Sequence, residues 1–197
     1  MTDCYVPPIP CSDPAPNWWS GLTAQPLVVD LPGLQSIITA DFYAQFRDLT
    51  ASPPTAPATV IDVDDDFAID IHLELTISSP LQYLLCGYWC ISVCLESMCG
   101  PNRYRFPRDA TSPAGYCCVL LPFSCDSTYD LTICVPGGVV QEDECGSPYE
   151  GTVIVTLLSQ CRKPGKEEAD PCDPATYRPV GAAGSVELPL LTFYSDQ

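Results

Sequence analysis

The chain has 197 residues, 46% of them hydrophobic, so it can build a core and falls outside the wholly disordered class. Its formal net charge is −17, with 8 Lys plus Arg, which excludes a nucleic-acid partner and attraction to an anionic membrane surface. Proline is abundant at 22 residues and only 17% of residues are charged, a composition ill suited to long solvent-exposed helices.

Residues 1–26 read as an arm. They hold Pro7, Pro8, Pro10, Pro14, Pro16 and Pro26, the cysteines Cys4 and Cys11, and the pair Trp18-Trp19. Proline at this density favours extended backbone. Two adjacent tryptophans are too apolar to leave in water, so Trp18 and Trp19 are expected to dock on the chain's own domain or on a neighbouring subunit. The opening MTDCYVPPIPCSDPAP has no basic region followed by an apolar one, so no secretory signal is expected.

PLVVD at 26–30 is a candidate strand. Beyond it Leu34, Ile38, Phe42, Phe46 and Leu49 recur every three to four residues, with Pro32 fit for a first turn and Asp30 for a cap. This spacing predicts a helix over 33–48. ASPPTAP at 51–57 breaks the chain, and after it the period changes to two.

Phe67, Ile69, Ile71, Leu73 and Leu75 alternate with Ala68, Asp70, His72, Glu74 and Thr76, the pattern of a strand with one buried face. Trp89, Ile91, Val93 and Leu95 alternate with Cys90, Ser92, Cys94 and Glu96. Tyr129, Leu131 and Ile133 alternate likewise, as do Val153, Val155 and Leu157. YCCVLLPF at 116–123 is continuously apolar and reads as a more buried strand. Turn residues at 78–80, 100–102, 112–115, 136–138 and 146–148 separate these runs. Residues 162–182 read as a long polar loop, and a last strand is expected at 185–194, with Pro189 marking an edge or a bulge.

Regular short strands with turn signals predict an Ig-like or jelly-roll β-sandwich over 57–197, preceded by an arm-plus-helix region over 1–56. No run of about 18 apolar residues exists, so no membrane insertion is expected.

Thirteen cysteines are far more than a reduced cytosolic protein ordinarily carries. Cys86, Cys90, Cys94, Cys99, Cys117, Cys118, Cys134, Cys145 and Cys161 are candidates for structural disulfides. Cys4, Cys11 and Cys172 are candidates for bonds between subunits. An odd count leaves at least one thiol over, which either pairs with another chain or stays buried and free. Cys90, Cys94 and Cys134 fall opposite the apolar stripes, so they must pair across strands or lie under a covering layer. Cys117 and Cys118 are adjacent and point to opposite faces of a strand, so they need different partners. No CxxC pair occurs, which argues against a structural zinc site. Should the thiols be reduced, a cytoplasmic location and buried, inert cysteines become the reading.

Catalytic signals are sparse. His72 is the single histidine, set beside Asp70 and Glu74, and no nucleophile motif, phosphate-binding loop or dinucleotide fingerprint accompanies it. Asp62, Asp64, Asp65 and Asp66 form an acidic run. An EF-hand loop opening at Asp62 needs glycine and glutamate where the chain has Phe67 and Leu73, so only a looser calcium site is open to it.

The expected function is structural: a non-enzymatic subunit that assembles with copies of itself into a filament, appendage or surface layer. It would stand outside the cell or on a cell or spore surface. The arrangement is similar to cysteine-rich bacterial appendage subunits, in which an N-terminal cysteine arm links sandwich domains. That likeness is one of arrangement and not of shared motif. The alternative is a calcium-assisted adhesion module for a protein or glycan ligand; otherwise no cofactor is expected.

Overall fold

The computed structural model describes residues 25–26, 38–51, 56–77, 87–108, 118–122, 128–142, 148–162 and 177–195. The described chain is all-β, and no helix occurs in it. Its strands are β1 (Gln25–Pro26), β2 (Ile38–Asp48), β3 (Val60–Asp62), β4 (Phe67–Ile77), β5 (Gly87–Ser97), β6 (Arg103–Phe106), β7 (Val119–Pro122), β8 (Thr128–Val135), β9 (Pro148–Arg162), β10 (Tyr177–Glu187) and β11 (Leu191–Tyr194).

Two sheets pack face to face. The first has the order β1-β2-β4-β8, and every neighbour is antiparallel. The second has the order β3-β11-β9-β5-β6, with β10 also paired to β9 and β7 also paired to β5. Strands β6 and β7 pair with successive stretches of the same side of β5, Val93–Glu96 and Tyr88–Ile91. Strands β10 and β11 line the far side of β9 in the same end-to-end manner.

Strict alternation builds the space between the layers. Phe42, Phe46, Phe67, Ile69, Ile71 and Leu73 point inward from the first sheet, and Trp89, Ile91, Val93, Leu95, Val153 and Val155 from the second. Aromatic pairs bridge the gap: Phe67 meets Phe193 with ring centroids 5.5 Å apart, and Trp89 meets Tyr129 at 6.5 Å.

The helix expected over 33–48 is corrected. Ile38–Asp48 is a strand paired along its whole length with β4, while residues 33–37 lie outside the described ones. Residues four apart share a face in a strand as well as in a helix. Between Ile38, Phe42 and Phe46 stand Ala40 and Ala44, small apolar residues that complete a period of two. The first sheet therefore draws on chain ahead of residue 57.

The last strand is also interrupted rather than continuous. It breaks at 188–190, where Leu188 donates its N–H to Gly151 O at 2.8 Å, and β11 then lies between β3 and β9 instead of at an edge. Of the strand expected at 26–30, only Pro26 is described, as the end of β1. The segment expected as a loop from 162 is strand up to Arg162 and strand again from Tyr177.

Candidate functional site

Of the expected cysteines, Cys90, Cys94, Cys99, Cys118 and Cys134 have described side chains. Cys161 lies in β9 with its side chain undescribed. Cys4, Cys11, Cys86, Cys117, Cys145 and Cys172 lie outside the described residues, as do Trp18 and Trp19.

Register places the cysteines within strands on the outer faces. Ile91 and Val119 are paired and point inward, so Cys90 and Cys118 both point outward from β5 and from the entry to β7. They form a disulfide with Cα atoms 5.2 Å apart, covered by Tyr88, Leu120 and Leu158. Cys134 stands outward on β8 opposite Ala68; Cys134 and Cys99 each take part in a disulfide as well. The expectation that outward thiols pair across strands holds for Cys90.

Cys94 is different: it is free and buried. Arg103 Nε donates to its sulfur at 3.3 Å, and the sulfur lies 3.6 Å from Glu96 Oε1. Arg103 Nη2 closes the triangle on Glu96 Oε1 at 2.5 Å. Its hydrogen bond to the Cys94 sulfur first, and the Glu96 carboxylate after it, raise the Arg103 guanidinium above its ordinary value. Among the cysteines with described side chains, Cys94 is the one that is free.

The outer face of the first sheet carries a buried polar cluster. Arg47 on β2 makes a two-pronged ion pair with Asp70 on β4, Nε to Oδ2 at 2.7 Å and Nη2 to Oδ1 at 2.8 Å. Thr132 on β8 donates to Asp70 Oδ1 at 2.8 Å, so one carboxylate ties three strands together. Beside it Gln45 is wholly buried, and neither its amide nitrogen nor its oxygen has a hydrogen-bond partner. Sequence alternation marked Asp70 and His72 as outward, and the one sign of cover at this end of the face was the outward Cys134 of β8. Gln45 and Arg47 were missed because the segment was read as a helix.

His72 sits on the same face. Its Nδ1 lies 2.6 Å from Asp130 Oδ1 and its Nε2 lies 3.1 Å from Glu74 Oε1, with the Tyr43 ring 5.7 Å away. Both ring nitrogens thus face carboxylates on β4 and β8. Asp70, the expected neighbour, is committed to Arg47 instead.

The acidic run folds into a turn whose carboxylates serve separate partners. Asp62 Oδ1 accepts from Asp64 N at 3.0 Å, and Asp66 Oδ1 accepts from Gly137 N at 2.8 Å. Asp65 Oδ2 accepts from Thr50 Oγ1 at 2.9 Å, and Asp64 is exposed. Among the described residues no group of three or more His, Cys, Asp or Glu converges as a metal site. No helix of the described chain is long and apolar enough to cross a membrane.

No family model matches this chain, and neither does any curated protein or solved structure.

Proposed function

We propose that this chain is a non-catalytic structural subunit that assembles with copies of itself, outside the cell or on a cell or spore surface, in a filament, appendage or surface layer. The observation that carries this reading is where the disulfides sit. Cys90, Cys118 and Cys134 lie on outward positions, away from the core between the sheets. Oxidised cysteines fit an oxidising location, and staples on the outside of a two-layer fold suit a part exposed to proteases and mechanical load.

We infer an Ig-like sandwich as the frame. The order β2-β4-β8 facing β6-β5-β9-β11 supports it over a jelly roll, with β5 and β9 in the places of the central pair of one sheet. Trp89 is fully buried on β5, the place of the core tryptophan in such domains. Tyr149, at the start of β9, donates its hydroxyl to Gln141 O at 2.6 Å, as a corner tyrosine does.

In this proposal Cys4 and Cys11 link neighbouring subunits through the arm. Replacing both with serine is expected to leave the domain folded and to convert reduction-sensitive multimers into monomers on non-reducing denaturing gels. Multimers that persist unchanged in the double variant sink the arm as the linker.

A further inference from the structure

The second sheet ends in two edges of opposite charge. One edge is β6, where Arg103 and Arg105 point outward opposite Glu96 and Cys94, and Arg108 follows just beyond it. These are three of only 8 Lys plus Arg in the chain. Arg108 is exposed, and Arg103 is 56% exposed despite its pairing with Glu96.

The other edge is β3, which leads into Asp62, Asp64, Asp65 and Asp66. Here Ile61 points inward, so Val60 and Asp62 point outward on the same face of the sheet as Arg103 and Arg105. Val60 is 56% exposed, an apolar side chain in open solvent at a strand edge. Among the described residues neither edge has a further strand beyond it.

Both edges lie toward one end of the sheet. Met98, in the turn between β5 and β6, donates its N–H to Pro148 O at 3.1 Å. Pro148 is the register partner of Thr192, and Thr192 is the partner of Val60. The directions also agree. β5 and β6 are antiparallel, as are β5 and β9 and then β9 and β11, while β3 is parallel to β11. Two copies set side by side in the same orientation would therefore meet with β6 antiparallel to β3.

We propose that a second copy of this chain docks edge to edge, the arginine edge at β6 of one copy against the aspartate edge at β3 of the next. The proposal rests on the self-assembly reading and gives it a non-covalent contact. The two surfaces differ, so the contact is heterologous, and each copy keeps one open edge of each sign. Repetition gives an open filament rather than a closed dimer. An exposed edge strand is a ready pairing template, and opposite charge selects which edge it accepts.

The test uses the full chain with its thiols reduced and alkylated, so that only non-covalent contacts remain. Arg103→Glu with Arg108→Glu makes the β6 edge acidic; Val60→Lys, Asp62→Lys and Asp64→Lys together leave only Asp65 and Asp66 of the acidic run and make the β3 edge basic. Each multiple variant alone is expected to need at least about a tenfold higher concentration than the unaltered chain to form polymer by sedimentation, since like charges then face each other. An equal mixture of the two is expected to polymerise again, because every contact between unlike copies is then complementary. Far-UV circular dichroism checks folding, and the single variants Arg108→Glu and Asp64→Lys, at exposed positions, stand in should a multiple variant unfold, with a smaller rise in that concentration expected because each weakens the attraction without reversing it. If the variants polymerise alone as readily as the unaltered chain, edge docking is overturned while self-assembly stands. If the unaltered chain stays monomeric both oxidised and reduced, self-assembly fails and the edge contact with it.

Discussion

Asp70 shows how much one buried carboxylate holds. It is 1% exposed, as is Arg47, and it accepts both prongs of the guanidinium and the Thr132 hydroxyl. Two charges withdrawn from water are stable here because each compensates the other. Removing Asp70 takes from the buried Arg47 the carboxylate that receives both prongs of its guanidinium. Asp70→Ala is expected to cost about 3–5 kcal/mol in urea unfolding, the usual penalty for orphaning a buried charge. Replacing the pair together, Arg47→Met with Asp70→Leu, is expected to recover most of that loss, because no buried charge is then stranded. A double variant as unstable as the single one would show that the pair contributes net stability rather than register. The neighbouring Gln45 amide, buried with both polar atoms unpaired, is a standing cost of about 1–3 kcal/mol at the same spot.

At the scale of elements, the strands most legible in the sequence were those with one apolar and one polar face. β4, β5, β8 and β9 read correctly because large apolar residues recur at every second position of Phe67–Leu75, Trp89–Leu95, Tyr129–Ile133 and Val153–Leu157. β2 was misread because its inward alanines look like helix formers and its outward face carries Arg47 and Gln45, buried only by tertiary packing. β3 and β6 span three and four residues, too few for any period to emerge, so the two sheet edges were invisible before the fold was known. The outward placement of the cysteines was legible from alternation, but which of them stays free was not, since that depends on which residues the fold sets beside each sulfur, and Cys94 meets Arg103 and Glu96. Gly151 of β9 carries a further constraint that no pattern announced. A Cβ built there would lie 2.9 Å from Leu188 Cβ and 3.0 Å from Phe46 Cζ, so this glycine lets the β10–β11 break and the opposite sheet close in together. Gly151→Ala is expected to destabilise by about 1–3 kcal/mol through overpacking. A thermal melt unchanged from that of the unaltered chain would show that both neighbours move aside freely.

For the whole molecule the decisive arrangement is the separation of core from cross-links. Among the described residues the cluster between the sheets contains no cysteine, and Cys90 and Cys118 belong to a small separate cluster on the outer face. A disulfide stabilises mainly by restricting the unfolded chain, by roughly 3 kcal/mol for loops of this order, and the Cys90–Cys118 loop has a sequence separation of 28. Reduction should therefore raise the free energy of folding without removing the packing that defines the fold. The reduced chain is expected to unfold at a lower urea concentration than the oxidised one, and still cooperatively. It should also retain the near-UV circular dichroism of Trp89 against Tyr129 before the transition. Loss of that signal on reduction alone, with far-UV strand content kept, would describe a loosened state in which the outer staples hold the two layers in register. In that case the cysteines would be part of the fold itself. With the near-UV signal kept, they are fastenings added to a fold that stands without them, free to be spent on joining one subunit to the next.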